Sequence, residues 1–236
     1  EQYAKQNAHT FVSLTPVKPP ETAAETTQKP EPTPAPTPTP TPEVDDTVAF
    51  SLGDNIIWTF SKKKGTLEIV GSGDMPDADT LPWYAYKDDI RTVTIADGVT
   101  SICRGAFSEC TALEKVSISD SVTNIGEGAF YGCTSLKTVS LPQQLYEIKR
   151  NTFLQSGLES INIPYNVGVI GESAFQETML KTVSLSQHVV KIEQNAFAHL
   201  VGTDITIENE NCEIGDTAMT LPMEGTIYGV AGSTAE

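Results

Sequence analysis

Basic residues are scarce in this sequence. Its 236 residues include 15 lysines and arginines against 31 aspartates and glutamates, which gives a net charge of −16 at pH 7. A nucleic-acid-binding surface needs clustered positive charge to neutralise phosphates, so this composition argues against a nucleic acid partner. Long apolar runs are also missing. No stretch approaches the ~20 apolar residues that a membrane-spanning helix requires, and we expect no membrane span in these residues.

Cysteine is rare as well. Four cysteines, at positions 103, 110, 133 and 212, are too few to form a disulfide scaffold in a chain of this length, and no Cys-x-x-Cys pair is present. Cysteine usage therefore does not indicate the redox compartment. The chain opens EQYAKQNAHT, with neither an initiator methionine nor a signal-like apolar core, so we expect it to be an internal piece of a longer protein.

Proline, by contrast, is concentrated in one segment. Ten of the 15 prolines lie between Pro16 and Pro42, within a run that has almost nothing apolar to bury. Alternating Thr-Pro pairs favour an extended polyproline II conformation of ~3.1 Å per residue, so residues 15–47 could span up to about 100 Å. We interpret residues 15–47 as a Thr/Pro-rich linker.

The sequence after the linker repeats itself every 22 to 23 residues. Its clearest column is phenylalanine, with successive members separated by 23, 23, 22 and 22 residues. The phenylalanine column consists of Phe107, Phe130, Phe153, Phe175 and Phe197. Four aliphatic columns keep the same step. One unit of this length cannot bury its own apolar face, whereas stacked units share a continuous core, so the period predicts a solenoid with parallel strands ~4.8 Å apart.

Local patterns predict the elements within each unit. Alternating Val-x-Ile and Val-x-Leu triplets indicate a short strand, and the Gly-x-x-Ala-Phe segment turns the chain back as a tight turn or a single helical turn. Residues 55–60 and 66–70 flank a Lys-Lys-Lys-Gly turn and predict a β-hairpin. We therefore expect a β-dominated α/β solenoid with an N-terminal hairpin cap at 48–89, five repeats at 90–201 and an incomplete C-terminal repeat or cap at 202–236.

Two of the cysteines share one column of the repeat. Cys110 and Cys133 are 23 residues apart, and each is followed by threonine. A nucleophilic cysteine needs a base within hydrogen-bond reach, yet His188 and His199 lie two units or more away along the stack. Stacked neighbours at ~4.8 Å are also farther apart than the about 3.8 Å between the Cβ atoms of a disulfide. We interpret both cysteines as buried free thiols that pack as small apolar residues.

The repeated strand and turn together carry a family resemblance. LKTVSLP (residues 136–142) and IGEGAFYGC (residues 125–133) closely resemble the BspA-type leucine-rich repeats of bacterial surface proteins, over roughly residues 54–236. The resemblance implies leucine-rich repeats in a secreted or surface-anchored, non-enzymatic protein used in adhesion, in some members to host extracellular-matrix proteins. Three units depart from the turn pattern, with Cys103, Lys149 and Glu193 in place of glycine.

Small polar residues occupy the solvent-facing positions of the predicted strands. We define the strand face by ten of them: Thr92, Thr94, Lys115, Ser117, Thr138, Ser140, Ser160, Asn162, Thr182 and Ser184. A flat, hydroxyl-rich face suits contact with a protein or a glycan, because repeat arrays commonly bind on one extended face. The alternative is a solvated surface without a ligand, since few aromatic or arginine side chains are present there to act as binding hot spots.

Two acidic clusters are candidate metal sites. The clusters are Asp74, Asp77 and Asp79, and Glu208, Glu210, Glu213 and Asp216. Both lack the ligand spacing and the bidentate glutamate of a calcium-binding loop. We interpret them as solvated turns and expect neither a metal nor a cofactor.

The expected function is that of a non-enzymatic, surface-exposed module, monomeric and bacterial, that binds an extracellular protein or glycan. Two alternatives stay open: a structural spacer that displays another domain, and an accessory module of an enzyme whose catalytic domain lies outside these residues. The two ends of the chain, GSTAE and EQYAKQNAHTFVSL, join into a helix-then-strand pattern. Residues 1–14 are therefore expected to be the tail of a preceding repeat array.

Overall fold

The computed structural model describes residues 46–77, 80–220 and 225–229. The predicted tail at 1–14 and all but the last two residues of the predicted linker lie outside these ranges. The described chain forms a nearly all-β solenoid of about seven turns. Within it, no helix has the length and hydropathy of a bilayer span.

Short strands line two sides of the solenoid. The N-terminal strands are β1 (Thr47–Leu52), β2 (Ile56–Ser61), β3 (Thr66–Gly71) and β4 (Gly73–Asp74). The first-strand row continues with β5 (Thr92–Ile95), β7 (Lys115–Ile118), β9 (Thr138–Val139), β11 (Ser160–Ile161), β13 (Thr182–Leu185), β15 (Asp204–Ile207) and β17 (Ile227–Gly229). The second-strand row consists of β6 (Val99–Ile102), β8 (Asn124–Ile125), β10 (Glu147–Ile148), β12 (Val169–Ile170), β14 (Lys191–Ile192) and β16 (Glu213–Ile214).

Paired strands within each row run parallel, with equivalent residues side by side. In the first-strand row, Val93 of β5 pairs with Val116 of β7. β9 and β11 are shorter than their neighbours and form a two-stranded sheet of their own. The prolines of these units explain the difference: the Ser119 amide, which follows β7, donates to the Ile95 carbonyl at 3.2 Å, whereas the equivalent Pro142 has no amide hydrogen to donate.

The Gly-x-x-Ala-Phe segments form the third side of the solenoid. Their alternate amides donate to carbonyls of the next turn, as the Phe130 amide does to the Thr152 carbonyl at 2.9 Å. Positive φ angles recur four residues apart, at 57° for Asn151 and 58° for Gln155, for example. An α-helix would instead keep right-handed backbone angles throughout and bond within the segment, from residue i to i−4.

This hydrogen bonding corrects the α/β class expected from the sequence. The described residues contain no α-helix, and their one helical element is the 3-10 helix Pro82–Tyr86. The backbone groups of the turn segments are already satisfied by neighbouring turns, so the segments form a ladder rather than helical turns.

The predicted β-hairpin is present. β2 and β3 pair antiparallel from Ile56 with Gly71 to Ser61 with Thr66, and β1 pairs with the far side of β2. β3 also pairs in parallel with β5, which the sequence did not indicate. The hairpin is therefore continuous with the first-strand row instead of being a separate element before it.

Aromatic rings stack along the centre of the core. All five rings of the phenylalanine column are fully buried, and neighbouring ring centroids are 5.4, 5.4, 5.5 and 5.3 Å apart. Trp83 extends the column, 6.1 Å from Phe107. Its Nε1 donates to the Ala106 carbonyl at 2.8 Å, while the equivalent Ala129 carbonyl accepts the Phe107 amide. The indole thus takes the place of a backbone donor at this end of the ladder.

Glycine alternates with larger residues just after the second strand. In chain order, this column contains Cys103, Gly126, Lys149, Gly171, Glu193 and Gly215. A Cβ on Gly171 would lie 2.7 Å from the Arg150 amide nitrogen and 2.8 Å from the Lys149 carbonyl carbon. Each glycine therefore stacks directly on the backbone of the preceding turn. Cys103, Lys149 and Glu193, which depart from the glycine pattern, therefore alternate regularly with glycine along this column.

Candidate binding face

Parallel register places the strand-face residues in two adjacent lines. Thr92 lies beside Lys115, and Thr94 lies beside Ser117. The intervening Val93 is buried, so the face follows from strict alternation between core and solvent along each strand. Ser140 and Asn162 continue this alternation just beyond the short strands β9 and β11.

The strand-face side chains are open to solvent. Eight of the ten are exposed, and Thr92 and Thr94 are half-buried. Within the described part of the chain, none of the ten side chains has a hydrogen bond or an ion pair. Their hydroxyl, amide and ammonium groups are therefore free to pair with a partner molecule.

The face extends onto the hairpin, which the sequence interpretation missed. Thr66 lies beside Thr92 and Glu68 beside Thr94. Farther out, Ile57 pairs with Val70, and these side chains are 48% and 40% exposed. The segment TLEIV at 66–70 alternates polar and apolar residues in the same phase as TVTI at 92–95. This shared pattern could have predicted that the strand face extends onto the hairpin.

A line of alternating charge borders the strand face. Its members are Arg91, Glu114, Lys137, Glu159 and Lys181, and we name this line the charge ladder. Arg91 and Glu114 approach to 3.4 Å, and Lys137 and Glu159 to 3.0 Å, with all four side chains well exposed. Exposed pairs of this kind each stabilise a fold by only ~0–1 kcal/mol, so the ladder adds little to stability.

The cysteines have the properties of packing residues. All four are buried and free. The Cys133 thiol donates to the Phe107 carbonyl at 3.1 Å. Burial raises the pKa of the Cys133 thiol, and it raises the pKa of Cys110 to about 12. A thiol that keeps its proton at neutral pH is a poor nucleophile and a poor metal ligand.

The aspartates of the first acidic cluster bind neighbouring protein groups. Asp74 accepts a hydrogen bond from the Thr100 hydroxyl at 2.7 Å, and Asp77 accepts one from the Arg104 amide at 3.0 Å. Asp79 lies outside the described residues. Among the residues that the structure covers, no three histidine, cysteine, aspartate or glutamate side chains are grouped so as to hold a metal ion.

Comparison with known proteins gives both a family and a fold. The sequence model of the BspA type Leucine rich repeat region matches residues 82–204 in six copies. A leucine-rich repeat protein from Eubacterium ventriosum ATCC 27560 is similar in structure, with 22% identity and a TM-score of 0.55 over 79% of this chain and 45% of that one. No curated protein matches the sequence.

A second solved structure adds a cellular context for a relative. A leucine rich cell surface protein from Faecalibacterium prausnitzii A2-165 is 26% identical, with a TM-score of 0.57 over 79% of this chain and 55% of that one. The present chain therefore spans about half the length of these relatives. The family model covers more than half of the chain, and the fold agrees with it. The chain belongs to the BspA-type leucine-rich repeat family.

Proposed function

We propose that this chain is a non-enzymatic binding module displayed outside a bacterial cell, and that its strand face contacts an extracellular protein or glycan. One observation carries the proposal: ten polar side chains lie on one face, and none has a partner within the described chain. The register of the repeats places these side chains in regular rows, and an extended ligand is matched by such a repeated row of donors and acceptors.

The chemistry of the face limits how it binds. Hydroxyl and amide groups both donate and accept hydrogen bonds, so they match peptide groups and sugar hydroxyls alike. Strong hot spots are usually tryptophan, tyrosine or arginine, and the ten residues include none. We therefore expect a weak contact per array that gains strength when several arrays or several copies engage one surface.

The location outside the cell rests on family membership and on the cell-surface protein among the structural relatives. The Thr/Pro-rich linker would hold the array away from its neighbour, and residues 1–14 would close a preceding array. We propose that the array is monomeric, with the hairpin as its N-terminal cap. In support of the cap, Trp58 is buried there, and its ring lies 6.0 Å from that of Trp83.

The test is a binding measurement with a charge-matched pair of variants. The full chain is immobilised and exposed to purified extracellular-matrix proteins and to a glycan array. Ser117→Lys combined with Ser140→Lys should reduce affinity about tenfold or more, because two long charged side chains then occupy the contact. Thr111→Lys combined with Thr134→Lys adds the same charge on the turn side and should leave binding unchanged.

The same binding measurement has two results that would support an alternative function. If the chain binds nothing above an acidic control protein of equal charge, the binding proposal is wrong and the array is a structural spacer. If it binds only a polysaccharide that a neighbouring domain of the parent protein cleaves, it is the accessory module of an enzyme.

A further inference from the structure

The loops that join the two strand rows differ in charge along the array. In the first two repeats these loops are ADGVT (96–100) and SDSVT (119–123), and each contains an aspartate. In the next three repeats they are PQQLY (142–146), PYNVG (164–168) and SQHVV (186–190), with no acidic or basic residue other than His188. The following loop, ENENC (208–212), is acidic again. A neutral patch three repeats long therefore interrupts the edge of a strongly acidic protein.

The neutral patch exposes large apolar side chains. We name Tyr146, Tyr165, His188 and Val190 the aromatic edge. Tyr146 is 64% exposed, Tyr165 53% and Val190 55%. The Gly168 amide donates to the Tyr146 carbonyl at 2.8 Å, and the Val190 amide donates to the Gly168 carbonyl at 2.8 Å, so these three residues occupy equivalent positions in successive turns. Glycine leaves the middle position without a side chain between the tyrosine and the valine.

Tyr165 is held in a fixed orientation. The His188 ring meets its ring edge-on, with centroids 4.2 Å apart and an interplanar angle of 63°. The Gln187 Nε2 donates to the Tyr165 hydroxyl at 2.7 Å. An exposed ring that is anchored by its neighbours loses little conformational entropy when a ligand covers it, which favours binding.

We propose that the aromatic edge is a binding subsite for a neutral oligosaccharide. A sugar ring has an apolar face that packs on an aromatic ring and a rim of hydroxyls that both donate and accept. The exposed amides of Gln143 and Gln144 supply both functions on the same loops, and Asn166, whose Nδ2 donates to the Gln143 carbonyl at 3.4 Å, adds an acceptor. Apart from His188, the loops offer no basic group to pair with a sulfated, sialylated or phosphorylated ligand, and the nearest lysine along the chain, Lys191, is paired with Glu193 at 3.1 Å.

The size of the patch favours a sugar over a protein. Three repeats at ~4.8 Å per step span roughly 10 Å, about the length of two sugar rings. A stable protein interface buries ~1,200–2,000 Å² in total, far more than the four exposed side chains of the aromatic edge provide. The inference rests on the proposed function for its extracellular partner, but it concerns a different surface from the strand face.

Saturation-transfer NMR on the full chain tests the subsite directly. The probes are cellotriose, chitotriose, maltotriose and lactose, with a heparin tetrasaccharide and sialyllactose as anionic comparators. We expect at least one neutral probe to bind, and Tyr165→Ala to weaken that binding about tenfold. Tyr165→Phe keeps the ring and should stay within about threefold. Met179→Ala removes a side chain that is 54% exposed elsewhere and should have no effect.

The subsite proposal is wrong if no neutral probe binds, if Tyr165→Ala leaves the binding intact, or if the anionic comparators bind more tightly than the neutral probes. The Ser117→Lys and Ser140→Lys variant, measured in parallel, separates the two proposals. If this variant loses matrix-protein binding but keeps sugar binding, both surfaces are supported. If no sugar binds and Tyr165→Ala abolishes protein binding, the saccharide assignment is wrong while the proposed function stands.

Discussion

Phe130 lies in the middle of the aromatic stack and shows what one residue contributes to the array. Its ring is 5.4 Å from Phe107 on one side and 5.4 Å from Phe153 on the other. Phe130→Ala should lower the free energy of unfolding by about 3–5 kcal/mol, since neighbouring turns cannot collapse into the cavity without breaking their own ladders. Denaturant unfolding measures this loss. The adjacent, half-buried Tyr131→Ala is the control, and a loss below ~1 kcal/mol for Phe130→Ala would show that the column is not core.

Cys110 and Cys133 should not react in the folded protein. Both side chains are buried, and desolvation raises the pKa of both thiols, so neither access nor thiolate is available to a reagent. With the disulfide reagent DTNB, we expect labelling only as denaturant unfolds the chain. Rapid labelling of both residues under native conditions would contradict their place in the core.

The same burial makes stability depend on alkaline pH. The pKa of Cys110 rises from 9.0 to about 12 in the folded chain. Above pH 9 the unfolded chain releases this proton while the folded chain retains it, so the free energy of unfolding falls by up to ~1.4 kcal/mol per pH unit for this thiol. The stability difference between wild type and Cys110→Ala should therefore shrink from pH 9 to pH 11. A difference independent of pH would contradict the buried, protonated thiol.

At the scale of elements, the turns stack by alternating glycine with larger residues. Gly171→Ala places a Cβ against the backbone of Lys149 and Arg150, so we expect the turn to shift at a cost of about 1–3 kcal/mol. Lys149→Gly changes the intervening turn, where a side chain is already accommodated, and should cost only ~1 kcal/mol or less through backbone entropy. Thermal unfolding of the two variants compares these effects. Equal losses would show that the alternation has no steric basis.

The elements differ in how far the sequence predicts them. The 22–23-residue period predicts the parallel rows and their register, because one apolar pattern recurs at every step. The turn ladder could not be predicted, since it requires positive φ at residues as different as Glu109, Asn151 and His199, none of them glycine. The strand face follows from alternation alone. The anchored ring of Tyr165 does not, because Gln187 and His188 reach it from the next turn.

At the scale of the whole molecule, the array should tolerate the loss of two adjacent units. Deleting residues 136–179 joins Ser135 to Leu180, so every column keeps its step, and the charge ladder and the glycine column both keep their alternation. Because each turn contacts only its neighbours, we expect a cooperative fold with a lower denaturant midpoint and a smaller m-value. Circular dichroism during denaturation measures both. Deleting only 158–168 breaks the columns and should abolish folding, and equal behaviour of the two deletions would contradict a stacked array.

The two alternations described above have a consequence for how the chain finds its own fold. Strands with the same apolar pattern invite mispairing, in which a strand skips its proper neighbour and joins the next but one. Such a skip would place Arg91 beside Lys137 and Glu114 beside Glu159, like charge against like. It would also stack Lys149 on Cys103, two residues with side chains, where the native column has glycine next to each. The charge ladder, which adds little to the final stability, and the glycine column thereby both penalise the wrong order of assembly.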